Sequence, residues 1–151
     1  MRVHRLEREQ VVRAPVAEVF SFFARARNLE RITPPWLRFE VLSPEPREGM
    51  RAGTLIEYRL RLHGLPLRWL TRIEEWDEER TFVDRQLRGP YRLWHHRHEF
   101  APAAEGTVVR DRVDYALRLG PLGELARRAF VARDLERIFD FRRDAVATLL
   151  G

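Results

Sequence analysis

A chain of 151 residues with 44% hydrophobic side chains is long enough to bury a substantial core and short enough for one domain. There is no cysteine, which excludes disulfides and thiol chemistry, and all 28 basic residues are arginine, which excludes a Schiff-base lysine and a P-loop lysine. The net charge of +5 is modest and the arginines are spread along the chain, so a nucleic-acid partner is not expected.

No apolar run approaches the roughly 20 residues of a membrane span, and no signal peptide is visible, so the expected location is cytoplasmic, without integral membrane contact. Abundant arginine and acid with a single asparagine, Asn28, is a thermophile-like composition.

Val3–Val12 reads as a strand that stops at Arg13-Ala14-Pro15. Pro15 suits the first turn of a helix, and Val16, Val19, Phe20 and Phe23 give that helix an apolar face. Asn28 is placed to cap a second short helix, Leu29–Ile32, which Thr33-Pro34-Pro35 ends. Phe39–Leu42 is a short strand. Residues 43–53 hold two prolines and two glycines and read as a loop. Thr54–Leu62 alternates cleanly, with Ile56, Tyr58, Leu60 and Leu62 on one face. Leu67–Trp76, Thr81–Leu87, Tyr91–Ala101 and Thr107–Leu119 come next as strands separated by tight turns, the signature of an antiparallel meander.

The longest helical signal is Pro121–Leu150. Val131, Leu135, Ile138, Phe139, Ala145, Val146 and Leu149 share one face; Arg133, Glu136, Arg137, Asp140 and Asp144 share the other. Leu122, Leu125, Ala129 and Ala132 are rotated by roughly a third of a turn from the later stripe, which predicts a bend near Phe130 or first turns that face away from the core. Arg142 falls inside the apolar stripe. It either snorkels to water from the stripe's edge or points into the interior to meet an acidic group.

A sheet with one apolar face and a helix with one apolar stripe must cover each other. The expected class is therefore α+β: a curved antiparallel sheet of about six to seven strands, two short helices after the first strand, and a long C-terminal helix across the sheet. At this point the chain resembles the SRPBCC or START-like superfamily, which includes lipid-transfer domains and polyketide cyclase/dehydrases. Pro15-Val16-x-x-Val19-Phe20-x-Phe22-Phe23, Asn28-Leu29-x-x-Ile32-Thr33-Pro34-Pro35, Gly53-Thr54-x-Ile56-x-Tyr58 and Glu75-Trp76 carry the resemblance. So do Leu119-Gly120-Pro121-Leu122-Gly123 and the long block from Phe82-Val83-Asp84-x-Gln86 through Gly89-Pro90-Tyr91-x-x-Trp94-x-His96-x-His98-x-Phe100. The resemblance spans nearly the whole chain. It implies the helix-grip fold, with a hydrophobic cavity between sheet and last helix, and leaves the ligand open.

The residues themselves mark a polar constellation. Trp94, His96, His98 and Phe100 are in phase on one strand, Phe82, Asp84 and Gln86 on the preceding one, and Asp111 lies among Val109, Val113 and Tyr115 on the last. Buried polar groups are costly without partners. Two readings are open, and they can coexist: histidines and aspartates satisfy one another as a structural network, or they orient a mostly apolar ligand. His96-x-His98 with Asp84 or Asp111 is a weak metal motif, and no metal or other cofactor is expected.

The expected function is binding of a hydrophobic, partly polar small molecule by a monomer or homodimer. The walls are assigned to Phe20, Phe23, Tyr58, Trp69, Phe82, Trp94, Phe100, Tyr115, Ile138 and Phe139, and the polar contacts to Asp84, Gln86, His96, His98, Asp111 and Arg142. One alternative is a cyclase or dehydratase with His96 or His98 as general acid or base. Another is a protein- or membrane-surface-binding module whose cavity is filled by side chains. The cavity volume separates these, because small-molecule pockets run to about 300–1,000 Å³. Entrance loops are expected at Pro34–Arg38, residues 43–53 and Gly89.

Overall fold

Tight turns dictate the architecture. In a computed structural model, which describes residues 1–151, His63 and Gly64 are the two central residues of a hairpin, with φ of 49° and 82°. Positive φ at both positions is what a two-residue turn matched to strand twist requires. The strand before it, β3 (Leu55–Leu62), and the one after it, β4 (Leu65–Asp77), therefore pair up to Leu62 opposite Leu65. This starts β4 two residues earlier than the sequence suggests.

The remaining strands are β1 (His4–Val12), β2 (Glu40–Val41), β5 (Thr81–Arg88), β6 (Tyr91–Ala103) and β7 (Gly106–Leu117). All pair antiparallel in the order β1-β7-β6-β5-β4-β3-β2. Register shifts interrupt the β4–β5 ladder at Leu70/Thr71 and Ile73/Glu75, and the β6–β7 ladder at Tyr91/Leu93. Such bulges bend and twist strands, which curves the sheet.

Helices α1 (Val16–Phe23) and α2 (Leu29–Ile32) come after β1. α1 buries Val19, Phe20, Phe22 and Phe23. Asn28 does not cap α2: it is itself helical, and its Nδ2 donates to the Phe22 carbonyl at 2.7 Å, tying α2 back to α1.

The C-terminal helix runs through α3 (Gly120–Ala126), a π-helical turn at Arg127–Val131, and α4 (Ala132–Leu150). The π turn is where the two apolar stripes fall out of phase, since an i→i+5 turn rotates the helix on its N-terminal side against the helix on its C-terminal side. α4 buries Leu135, Phe139 and Val146 against the sheet, whereas Leu122, Leu125 and Phe130 stay exposed. Arg8 of β1 pins α4 through ion pairs with Glu136 and Asp140, the latter at 2.7 Å. A seven-stranded curved antiparallel sheet gripping a long C-terminal helix is the helix-grip fold. No helix is long and apolar enough to cross a membrane.

Candidate functional site

Sheet and helix do not meet along their whole length. Between them lies a cavity of about 170 Å³. Its walls come from β3 (Ile56, Tyr58, Leu60, Leu62), β4 (Trp69, Thr71, Ile73), β5 and β6 (Phe82, Tyr91, Trp94) and α4 (Leu135, Ile138, Phe139). Phe23, α2 and the segments after it close the other end with Leu29, Ile32, Leu37, Phe39 and Met50. The β3 residues reach the wall through period-2 alternation, the α4 residues through three- and four-residue spacing.

One patch of this wall is polar. Because β6 lies between β5 and β7, its inward histidines stand between two carboxylates: Asp84 is directly opposite His96, and Asp111 directly opposite His98. The close hydrogen bonds run diagonally. His98 Nε2 meets Asp84 Oδ2 at 2.6 Å, and His96 Nε2 meets Asp111 Oδ1 at 2.7 Å. The directly opposed pairs are looser, at 3.8 Å for His96 Nδ1 to Asp84 and 3.5 Å for His98 Nδ1 to Asp111. Phe82, His98 and His96 form a continuous stack, with centroids 3.9 and 3.7 Å apart. Arg142 of α4 completes the cluster. Its Nη2 lies 3.6 Å from Asp111 Oδ1, and its guanidinium carbon is 5.2 Å from the Phe23 ring centre and 5.7 Å from that of Phe139. Arg142 thus points inward rather than snorkelling.

Burial alone would raise both carboxyl pKa values. At Asp84 the His98 hydrogen bond and the charges of His96, His98 and Arg142 override it, leaving the group below the usual carboxylate range. At Asp111 the Arg142 charge and the His96 hydrogen bond do the same more strongly. Burial and the neighbouring His96 push His98 down to about 4, against the pull of Asp84 and Asp111. His98 is therefore neutral at pH 7. Facing an ionised Asp84, its Nε2 must carry the donated proton, which leaves Nδ1 as a bare acceptor. That Nδ1 is buried with no hydrogen-bond partner, as is Arg142 Nη2.

Asp84, His96 and His98 bring one potential ligand atom each to within 4.8 Å of one another. The geometry still does not suit a metal. A cation ligated by both imidazoles must lie near both ring planes, and these planes are stacked 3.7 Å apart at 23°. Arg142 adds positive charge beside the same cluster.

Of the residues assigned from sequence, Phe23, Tyr58, Trp69, Phe82, Asp84, Trp94, His96, His98, Ile138, Phe139 and Arg142 line the cavity. Five do not. Phe20 and Phe100 are buried in the core under α1, where their rings pack edge to face at 5.1 Å. Gln86 exchanges two hydrogen bonds with the Tyr91 backbone, at 2.7 and 3.0 Å, and closes the β5–β6 turn. Asp111 stands behind the histidines, and Tyr115 packs against His4, Tyr91 and Trp94. Phe20, Gln86 and Phe100 share a helix or strand face with wall residues, but inward residues beyond the cavity's end become core, and Asp111 and Tyr115 lie on β7, which contributes nothing to the wall. Sequence reasoning left Ile56, Leu60, Ile73, Tyr91 and Leu135 off the wall although their periods place them on wall faces, and it took the segments of Leu37 and Met50 as entrance loops without assigning those two side chains, which have no periodic pattern.

The family described as polyketide cyclase/dehydrase and lipid transport matches residues 12–142. The chain belongs to that family. No curated protein sequence matches it. Among solved structures, a Thermus thermophilus protein is 26% identical, covering 99% of this chain and 100% of its own, with a TM-score of 0.62. The Zhui aromatase/cyclase from a Streptomyces species is 21% identical over 99% of this chain and 94% of its own, with a TM-score of 0.73. A START superfamily protein from Mycobacterium smegmatis is 14% identical over 97% and 98%, with a TM-score of 0.70. The last two likenesses concern the fold.

Proposed function

We propose that this family member binds one compact hydrophobic molecule carrying a small polar group, in the cavity between sheet and α4. The supporting observation is the wall itself: 18 of its 24 residues are hydrophobic, and the polar ones include Asp84, His96, His98 and Arg142 gathered in one patch. A ligand site has this composition, an apolar enclosure with few convergent polar groups. At about 170 Å³ the cavity is smaller than the 300 Å³ expected from sequence. It is close to the ~150 Å³ that holds a benzene molecule, so the occupant in this conformation has one ring and small substituents.

The test is a titration with ethylbenzene, read by the fluorescence of Trp69 and Trp94, both in the wall. Wild type should saturate with one site. Leu135→Phe pushes bulk into the cavity and should weaken binding by roughly tenfold or more, at about 1–3 kcal/mol of stability. No saturable signal with ethylbenzene or with compact aromatics of the same size that carry an oxygen, or equal affinity in the variant, would overturn the reading.

Catalysis is a second reading, and one feature favours it. A neutral imidazole with its Nε2–H on a carboxylate and its Nδ1 bare is the arrangement of a general base, and His98 has it, although its depression to about 4 makes it a weak one at neutral pH. Exchange of the methyl protons of acetophenone in deuterated water, monitored by NMR, separates the readings. Exchange accelerated by the protein and lost in His98→Gln supports the base; binding without exchange leaves a carrier.

A further inference from the structure

Arg142 is a cation built into an apolar wall, and the protein leaves its Nη2 without an acceptor. Two phenyl faces flank the guanidinium, and its nearest carboxylate oxygen, Asp111 Oδ1, is at 3.6 Å, beyond hydrogen-bond distance. A buried donor in this state costs free energy until an oxygen reaches it. Asp111 is held on the His96 side by its 2.7 Å hydrogen bond, and at 3.6 Å it stops short of Nη2. Arg142 lines the cavity, so an oxygen carried by the cavity's occupant is placed to supply the acceptor.

The charge of the patch narrows what that acceptor is. Two carboxylates, Asp84 and Asp111, already share the one guanidinium and the two imidazoles that hydrogen-bond them. A third carboxylate would meet two others at one apolar-walled patch, with the single arginine already shared, and their mutual repulsion opposes it. An uncharged oxygen does not meet that penalty. Resting on the binding function proposed above, we infer that Arg142 is the recognition residue for an uncharged oxygen, and that the ligand class is a compact aromatic or alicyclic carbonyl or alcohol rather than an acid. The apolar body of the ligand lies against Tyr58, Trp69, Trp94 and Ile138, and its oxygen faces Arg142 beside the His96–His98 stack.

Calorimetric titration with three probes of one size tests this: ethylbenzene, acetophenone and benzoate. On the wild type, acetophenone should bind roughly tenfold more tightly than ethylbenzene, the worth of one hydrogen bond from a charged donor, and benzoate should bind worst. In Arg142→Met, which keeps length and apolar bulk, acetophenone and ethylbenzene should come within about twofold of each other. Arg142→Lys should recover part of the preference. Ethylbenzene bound as well as acetophenone by the wild type, benzoate bound best, or an acetophenone preference that survives in Arg142→Met each overturns the inference while leaving the cavity-binding reading standing. Failure of all three probes on the wild type overturns both.

Discussion

His96 and His98 stack face to face with their ring centres 3.7 Å apart, and each is hydrogen-bonded to the carboxylate opposite the other. This crossed pairing makes the two histidines unequal. Asp111 retains Arg142 nearby if His96 is lost, whereas the close hydrogen bond to Asp84 comes from His98. His98→Ala should therefore lower stability by about 1–3 kcal/mol or more, because it strands a buried charged group. His96→Ala should cost less. Chemical denaturation of the two variants checks the order, and equal losses would contradict the crossed network.

Acid should destabilise the protein in two stages. His98 has an unfolded value of 6.5 and a folded value of about 4. Between those values the unfolded chain binds a proton that the folded chain refuses, so stability falls as pH falls, by on the order of 3 kcal/mol across the window. Asp84 and Asp111 are depressed below 3.8, so their contribution is present above that value and is lost at still lower pH. Melting temperature should decline from pH 6.5 to 4, and His98→Gln should flatten that segment. An unchanged slope in the variant would assign the loss to other groups.

The junction of β7 and α3 stores a backbone constraint at two nearby sites. Leu119 has φ of 72°, a left-handed conformation that costs an L-residue roughly 1–2 kcal/mol. Leu119→Gly should raise the melting temperature by a few degrees, since the relief exceeds glycine's entropy penalty of about 0.5–1 kcal/mol. Gly123→Ala should lower it: a Cβ there would lie 1.9 Å from the Arg118 carbonyl oxygen, and the required backbone shift costs about 1–3 kcal/mol. Thermal unfolding by circular dichroism reads both signs.

The loop over residues 43–53 has little regular structure, yet it contributes Met50 to the cavity wall. Segments with few backbone ladders open at low free energy. Its amides should exchange with deuterium faster than those of β3–β6, and more slowly once a probe fills the cavity. Exchange as slow as in the strands, or indifferent to the probe, would place the entrance elsewhere.

The order of elements was legible because strands and helices write different periods: Ile56-Tyr58-Leu60 and Leu135-Ile138-Phe139 declare their faces directly. The change of face near Phe130 was legible as a phase slip, which the π turn absorbs, leaving Leu122 and Leu125 turned away from the core. The polar patch was legible as residue types, since inward His and Asp are conspicuous. Its wiring was not. Which aspartate bonds which histidine depends on the register of three strands and on side-chain rotamers, and no in-chain spacing encodes that. The wall's length was hidden for the same reason. Phe100 continues the alternation of Trp94, His96 and His98, but where cavity gives way to core depends on how deeply α1 seats Phe20 against it. Gln86 looked like a ligand contact because its local partner, the Tyr91 backbone, becomes visible only once the β5–β6 turn is folded.

Native mass spectrometry of the protein isolated from its own source, ionised gently enough to keep buried molecules, tests the central claim most directly. A cavity of about 170 Å³ accommodates on the order of ten non-hydrogen atoms. The account predicts a single stoichiometric adduct of that size, uncharged when released and lost in Leu135→Phe. The bare chain mass in wild type, or an adduct that persists unchanged in Leu135→Phe, would contradict it.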